Sequence, residues 1–232
     1  MNILVTGADR GLGQGMVKLL LSQGHQVIAG EFCKEWSQLA PLKEEYPDSL
    51  MIVPLDVSSE ESVQAARALV EERFSVLDVL ISNAGIHVIS PDMRTDYDKM
   101  LQIYNVNSVG PVRMVEDFYD LMKESTRKEI CLVSSEAGSI SRSWRDGDYG
   151  YCMSKAALNM YGMNLNNRLK PEGYDIRLYY PGWVRSYMSG ELNTQGELSI
   201  DEAAAYAIDY FLETEAEDEL VMVGFDKERW TW

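Results

Sequence analysis

Short runs of β-branched and leucine residues alternate along the chain with longer segments whose apolar positions recur at helical spacing. The short runs predict seven strands, at residues 3–5, 27–29, 51–54, 77–82, 130–134, 176–180 and 220–223. Residues 63–74 follow a helical period, and Ser58-Ser59-Glu60-Glu61 offers capping residues with acids in the first turn. This alternation predicts an α/β fold, a doubly wound parallel sheet covered by helices on both faces, in one domain over residues 1–232.

Composition and charge narrow the functional classes. The chain has 232 residues, 46% of them hydrophobic and 25% charged, as expected for a globular domain with a substantial core. A net charge of -16 speaks against nucleic acid or an anionic membrane as a partner, because both require a basic face. The three cysteines have neither disulfide nor metal-ligand spacing, and we find no leader peptide or membrane span. We therefore expect a cytoplasmic protein.

A glycine-rich turn follows the first predicted strand. Gly7, Gly11 and Gly13 lie where a helix would begin, so backbone N–H groups at the positive helix end can face a pyrophosphate. A plain tight turn is the alternative for such a pattern. Glu31 closes the second predicted strand, where an acid can bind ribose hydroxyls, and Asp56 is expected to end the third. Either acid, taken singly, is also compatible with an ordinary polar strand end.

Tyr151 and Lys155 stand four residues apart, so on a helix they share one face. An ammonium beside a phenol stabilises the phenolate, and we expect it to lower the tyrosine pKa towards neutral pH. Such a tyrosine can exchange a proton with a carbonyl oxygen. With the glycine turn, this pair predicts a hydride-transfer enzyme. Tyr149 is a rival with Met153 four residues beyond it.

Seven short motifs along the chain together match the pattern of one protein family. They are residues 6–13, Asp56-Val57, Asn83-Ala84-Gly85, Asn107, Ser134-Ser135, residues 151–155 and residues 181–186. In order and spacing, the chain resembles the short-chain dehydrogenase/reductase family from end to end. The sixteen residues from Ser135 to Tyr151, longer than in many relatives, and the tail Trp230-Thr231-Trp232 resemble its C-factor and Sniffer-type carbonyl reductase branch.

The resemblance implies a Rossmann-like fold, a nicotinamide cofactor and a catalytic set of Asn107, Ser135, Tyr151 and Lys155. Asn107 would hold a water that relays protons from Lys155, with Asn105 as a rival for that role. The cofactor-binding residues it implies are Gly7, Arg10, Gly11, Leu12, Gly13, Glu31, Asp56, Val57, Asn83, Ala84, Gly85, Tyr151, Lys155, Pro181, Gly182, Val184 and Ser186.

Two residues point to different cofactors. Glu31 would accept hydrogen bonds from the ribose hydroxyls of NAD and repel the 2′-phosphate of NADP. Arg10 occupies a position that helps to bind that phosphate in many relatives. Because a carboxylate directly opposes a phosphate, we favour NAD and keep NADP as the alternative.

The expected substrate is a small carbonyl compound or alcohol. Arg142, Trp144 and Arg145 could rim the pocket and attract an anionic or aromatic compound, or be ordinary exposed loop residues. A short lid, with Tyr187, Ser189 and Asn193, separates Ser186 from a helix near Ser199. His25 and His87 have no pattern typical of a metal site or of catalysis, although His87 is a candidate pocket-lining residue.

Two further expectations concern partners and the class of function. Relatives often pair through long helices, here around residues 100–122 and 151–169, so we expect a homo-oligomer, a dimer or a tetramer. A redox sensor or signalling protein that binds the nucleotide without turnover is the alternative function on the same fold. The intact set of Asn107, Ser135, Tyr151 and Lys155 favours the enzyme.

Overall fold

One mixed sheet organises the protein. The computed structural model describes residues 1–88, 95–188, 193–214 and 219–232. Within them eight strands pair in the order β3-β2-β1-β4-β5-β6-β7-β8. Their bounds are β1 Asn2–Val5, β2 Gln26–Glu31, β3 Leu50–Pro54, β4 Val79–Ser82, β5 Glu129–Val133, β6 Asp175–Tyr180, β7 Met222–Gly224 and β8 Arg229–Trp230.

Helices connect the strands and cover both faces of the sheet. They are α1 Gly11–Ser22, α2 Leu39–Glu45, α3 Glu60–Glu71, α4 Tyr97–Tyr104, α5 Gly110–Met122, α6 Tyr149–Leu169 and α7 Ile200–Phe211. Ser59 caps α3 by accepting from the Ser62 N–H, and Ser199 with Glu202 forms a capping box on α7. No helix in the described part of the chain is long and apolar enough to cross a membrane.

The predicted α/β fold is confirmed, with corrections of detail. All seven predicted strands are present, and their ends differ from the prediction by at most two residues. The helix predicted from the period of residues 63–74 begins at Glu60 behind the N-cap Ser59, within the predicted capping segment, and ends at Glu71, three residues before the end of the period. Asp56 does not end the third strand, since β3 stops at Pro54. The expected helix around 100–122 is interrupted by a π-helical turn at Asn105–Val109.

The sheet is not wholly parallel, because β8 pairs antiparallel with β7. A tight turn joins the two strands, with the Gly224 N–H donating to the Glu228 carbonyl at 2.8 Å. A two-residue strand is too short to show alternation in the sequence, which explains why it was not predicted.

Two apolar layers fill the space between sheet and helices. Leu4 faces the layer formed with α3, α5 and α6, while Ile3 and Val5 face the layer formed with α1, α2 and α7. Successive strand side chains point to opposite faces, and here both faces are covered. The inner strands are therefore apolar at nearly every position.

The strand order places a crevice at one edge of the sheet. The chain continues from β1 outward to β2 on one side and reaches β4 on the other. The helices that follow β1 and β4 therefore diverge, and ligands of such sheets bind outside the carboxyl ends of the strands at this point. The segments after β1, β4, β5 and β6 meet there.

Candidate active site

The turn after β1 has the shape of an anion cradle. Gly7 and Gly11 have φ angles of +60° and +61°, which side chains with a Cβ rarely adopt. A Cβ built on Gly13 would lie 2.2 Å from the Gly7 carbonyl oxygen, so α1 can begin this close to the turn only with glycine there. Arg10 is the N-cap of α1 and its side chain makes no capping hydrogen bond. The turn and this uncapped helix end fit the diphosphate of a dinucleotide.

Residues after β4 hold the turn in place. The Asn83 side-chain amide donates to the carbonyl oxygens of Thr6 at 2.9 Å and Gly7 at 3.1 Å. The Thr6 hydroxyl accepts from the backbone N–H groups of Asn83 at 3.0 Å and Ala84 at 2.9 Å. The Asn83 side chain therefore braces the cradle, and its role among the cofactor-binding groups stays a prediction.

The residues predicted to bind the adenosine part of the cofactor follow β2 and β3. Glu31 ends β2, as predicted. The Asp56 carboxylate accepts from the Ser58 N–H at 2.8 Å and the Ser58 hydroxyl at 2.6 Å, which is a local turn motif. Val57 is buried and lies against Gly110 at the start of α5.

Arg10 is engaged within the protein. Its guanidinium donates to the Asp9 carboxylate at 2.6 Å and lies 5.0 Å from the ring centroid of Trp36. Its charge is thus partly neutralised before any ligand binds.

Three of the four predicted catalytic side chains converge near the end of β5. Ser135 follows β5 by two residues, and Tyr151 and Lys155 lie on the first turns of α6. All three are buried. The Lys155 ammonium lies 5.9 Å from the Tyr151 ring centroid and donates to the Val133 carbonyl oxygen at 2.9 Å. A buried ammonium held by one carbonyl in the described chain can accommodate further acceptors, such as ribose hydroxyls.

The pKa of Tyr151 differs from the expectation. Burial raises it to about 12, against a hydrogen bond with Ser135 that lowers it. Burial also lowers the pKa of Lys155 to about 8. Both groups share a poorly solvated pocket, and the ammonium donates to Val133 instead of the phenol, so it does not offset the burial of Tyr151. In the free protein Tyr151 therefore keeps its proton at neutral pH.

Asn107 lies within the π-helical turn at Asn105–Val109, and its side chain is already engaged. It donates to the Ile86 carbonyl at 2.9 Å and the Ser154 hydroxyl at 3.0 Å, and accepts from the Ile86 N–H at 2.9 Å. Both amide hydrogens are used, so a water bound by this side chain would have to donate to its oxygen.

The polar groups of the two rivals make hydrogen bonds outside the set of Ser135, Tyr151 and Lys155. The Asn105 side-chain amide donates to the Ser58 carbonyl at 3.1 Å, and its oxygen accepts from the Arg113 guanidinium at 2.8 Å. Tyr149 is 43% exposed, and its hydroxyl donates to the Asp146 carbonyl. The geometry therefore favours Asn107 and Tyr151 over them.

The segment 181–186 returns to the glycine turn. Gly182 has a φ of +77°, and the Arg185 N–H donates to the Leu198 carbonyl at 2.9 Å. Ser186 lies beside Gly11, whose built Cβ would be 3.6 Å from the Ser186 Cβ. The helix expected near Ser199 is α7, so the connection is short, as predicted. Ser189 lies outside the described residues.

The arginines predicted to rim the pocket are both paired with acids. Arg142 donates to Glu228 at 2.7 Å, while Arg145 contacts Glu136 and Asp148. Trp144 is exposed. The ring of His87 lies 4.5 Å from that of Tyr151, which supports its predicted pocket-lining position.

Comparison with known proteins identifies the family. The family profile described as short chain dehydrogenase matches residues 1–197. The chain belongs to the short-chain dehydrogenase/reductase family. Among curated members, 1-hydroxy-2-glutathionyl-2-methyl-3-butene dehydrogenase of Rhodococcus sp. (strain AD45) is 30% identical over 204 residues, 88% of this chain and 86% of that protein. C-signal of Myxococcus xanthus is 35% identical over 115 residues, 49% of this chain and 69% of that protein.

Solved structures of the family are similar over the whole chain. The NADPH-bound carbonyl reductase from chicken fatty liver has a TM-score of 0.89 and 30% identity, covering 100% of this chain and 98% of that one. Carbonyl reductase Sniffer of D. melanogaster has a TM-score of 0.89 and 25% identity, covering 100% and 99%. These similarities confirm the predicted resemblance. This short-chain dehydrogenase/reductase is an NAD(P)-dependent oxidoreductase of the carbonyl reductase kind.

Sequence reasoning missed one residue of this dehydrogenase/reductase site. Glu136 lies next to Ser135 and accepts its hydroxyl hydrogen at 2.5 Å. The signal was available, because an acid directly follows the predicted catalytic serine. The sequence did not show that Glu136 also pairs with Arg145, because these residues lie nine positions apart and only the folded loop brings them together.

Proposed function

We propose that this enzyme reduces small carbonyl compounds and oxidises the corresponding alcohols, with Ser135, Tyr151, Lys155 and Asn107 as its catalytic set. The observation that carries the proposal is the convergence of three buried side chains, those of Ser135, Tyr151 and Lys155, at the crevice. The glycine turn and the uncapped N-terminus of α1 lie at the same crevice. The candidate nucleotide-binding turn and the candidate proton donor, Tyr151, thus face the same cleft.

In this proposal Tyr151 donates the proton in reduction. A phenol with a pKa of about 12 holds its proton at neutral pH, so it is available when charge develops on the substrate oxygen. A bound nicotinamide supplies the hydride to the carbonyl carbon, or accepts it in the reverse direction. Tyr151 stabilises the developing oxygen charge by hydrogen bonding and is left as the phenolate, and Ser135 adds a second hydrogen bond once its hydroxyl turns from Glu136 to the substrate oxygen.

Lys155 and Asn107 support that proton transfer. A protonated Lys155 stabilises the phenolate electrostatically and has N–H groups to offer a nicotinamide ribose. Asn107 fixes the backbone at Ile86 and the hydroxyl of Ser154, which lies next to Lys155 on α6. It therefore positions the pocket wall as well as any water bound to its oxygen.

We propose NAD as the preferred cofactor. Glu31 ends β2 without a side-chain hydrogen bond or ion pair in the described chain, so its carboxylate is available to ribose hydroxyls. The pairing of Arg10 with Asp9 weakens its attraction for a 2′-phosphate. The chicken carbonyl reductase is an NADPH-bound relative, so the fold also accommodates the phosphorylated cofactor.

We also propose that the protein is a homo-oligomer. Leu101 on α4 and Met153 and Met160 on α6 are more than half exposed, and these two helices pack together. Clustered apolar side chains on a surface are typical of protein interfaces. Light scattering in solution measures the assembly directly.

Tyr151→Phe tests the catalytic proposal. Turnover of an aldehyde panel, followed by NADH or NADPH oxidation, should fall by at least about a hundredfold because the proton donor is removed. Cofactor affinity, followed by fluorescence titration, should change by no more than a few-fold. Tyr149→Phe, two residues away and exposed, is the matched control and should keep full activity.

The opposite results would redirect the assignment. Retained turnover in Tyr151→Phe rejects Tyr151 as the donor, and loss in Tyr149→Phe alone assigns the role to Tyr149. Cofactor binding with no turnover of any carbonyl by the unaltered protein would support the nucleotide-binding sensor instead.

A further inference from the structure

A charged cluster borders the proposed catalytic groups. It consists of Glu136, Arg145, Asp148 and His87, and we call it the Glu136 cluster. Arg145 donates to Glu136 through Nε at 3.1 Å and also through Nη2, and to Asp148 through Nη1 at 3.1 Å. His87 Nε2 lies 3.4 Å from the Asp148 carboxylate. The cluster thus joins the segment after β5, the start of α6 and the segment after β4.

The cluster touches both Ser135 and Tyr151. The Ser135 hydroxyl donates to Glu136 at 2.5 Å, and the His87 ring centroid lies 4.5 Å from that of Tyr151, with the rings tilted by 32°. A substrate carbonyl held by Ser135 and Tyr151 therefore lies within a few ångströms of the Glu136 carboxylate.

Charges do not balance in this cluster. Two carboxylates, Glu136 and Asp148, face one guanidinium, Arg145, so the net formal charge of these residues is negative with His87 neutral. The Lys155 ammonium beside Tyr151 donates to the Val133 carbonyl and forms no ion pair with either acid. The Glu136 and Arg145 side chains are only 13% and 22% exposed, so water screens them less than a surface pair. The Arg145 guanidinium is committed to two acids and is not a free anion-binding group.

The charges of the Glu136 cluster act on the two neighbouring phenols. The Glu136 charge adds to the effect of burial in raising the pKa of Tyr151 and of Tyr180, while Arg145 opposes it at both. Negative charge is therefore disfavoured at the two phenols next to the cluster.

We propose that the Glu136 cluster makes this pocket select uncharged carbonyl substrates over carboxylate-bearing ones, with Glu136 as the specificity-determining residue. This inference rests on the proposed carbonyl reduction. A substrate carboxylate beside Glu136 meets like charge, and it can reach Arg145 only by displacing an acid. Uncharged substrates meet neither obstacle.

Glu136→Gln tests this selection with a matched pair of aldehydes. Methyl 3-formylbenzoate is neutral and 3-formylbenzoate is anionic, and the ratio of their kcat/KM values is measured in each variant. Any general effect on Ser135 or on folding changes both substrates alike and cancels in the ratio. The unaltered enzyme should favour the ester, and Glu136→Gln should shift the ratio towards the anion by about tenfold, because one carboxylate charge is gone and Arg145 is partly released.

Two further variants separate this inference from general charge effects. Arg145→Gln should shift the ratio in the opposite direction, towards the ester, because both acids then lose their counter-charge. Glu228→Gln is the control. It removes an acid that pairs with Arg142, which lies three residues before Arg145, and neither Glu228 nor Arg142 belongs to the Glu136 cluster. It should leave the ratio within about twofold.

The outcomes distinguish the inference from the function it rests on. Turnover of both aldehydes with a ratio unchanged in Glu136→Gln, or a preference for the anion in the unaltered enzyme, overturns the selection and leaves the reductase in place. Turnover of no carbonyl compound overturns the proposed function and the inference with it.

Discussion

Replacing Lys155 by methionine should stabilise the cofactor-free protein while destroying its activity. The Lys155 side chain is 3% exposed, and burial lowers its pKa from 10.5 to about 8. Each unit of pKa shift corresponds to about 1.4 kcal/mol, so keeping this lysine charged in the folded protein costs about 3 kcal/mol at pH 7. Methionine has a similar length and carries no charge.

The hydrogen bond to Val133 offsets part of that gain. Lys155 donates to its carbonyl oxygen at 2.9 Å, and losing a hydrogen bond from a charged donor costs about 2 kcal/mol. We therefore expect Lys155→Met to raise the free energy of unfolding by about 1 kcal/mol at pH 7. Such a gain from removing a functional residue is typical of sites that retain strain for activity.

The stability advantage of Lys155→Met should decrease as the pH rises. Below pH 8 the lysine is charged in both states, and the folded state bears the full cost of its burial. Between pH 8 and 10.5 the folded protein releases the proton while the unfolded chain keeps it, so the unaltered protein becomes more stable relative to the variant. The advantage of Lys155→Met should therefore shrink as the pH rises through this window.

Equilibrium unfolding in urea at pH 7, 8, 9 and 10, without cofactor, measures this difference. Lys18→Met is the control, because Lys18 is exposed and pairs with exposed Asp201, and its effect should stay within about 0.5 kcal/mol. If Lys155→Met is less stable than the unaltered protein at pH 7, or if its advantage does not change with pH, the burial argument for Lys155 is refuted.

Two other substitutions probe the cofactor and the core. The unaltered enzyme should bind NADH roughly ten- to a hundredfold more tightly than NADPH, and Glu31→Ser should shrink or invert that preference in a fluorescence titration. Tighter NADPH binding before substitution would show that Glu31 does not face the ribose. Burial raises the pKa of Glu129 to about 7, but at pH 8 its carboxylate is ionised and pairs with both Arg127 and Arg177. Because Glu129→Gln leaves these two arginines short of a counter-charge, it should lower the free energy of unfolding at pH 8 by about 3 kcal/mol. A change below 1 kcal/mol, like that expected for exposed Asp201→Asn, would mean that the two arginines do not depend on it.

Local spacing explains what was predictable. The apolar runs and helical periods anticipated seven strands and the α/β class, since strand and helix repeats are properties of neighbouring residues. The four-residue step from Tyr151 to Lys155 fixed a shared helix face in the same way. The two-residue strand β8 and the π-helical turn around Asn107 left no such period in the sequence.

Tertiary structure decided the chemical state of the site. Whether Arg145 attracts an anion depends on Glu136 and Asp148, and the pKa of Tyr151 depends on how deeply α6 is buried. The resemblance already favoured Asn107 over Asn105, but the contacts that distinguish them, Asn105 with Ser58 and Asn107 with Ile86, join residues about 50 and 20 positions apart. The sequence by itself determined which reactive groups are present and which of them share a helix face or a turn. Their charges, pairings and solvent exposure required the folded chain, because electrostatic interactions depend on distance in space and on excluded water, and neither is encoded in local spacing.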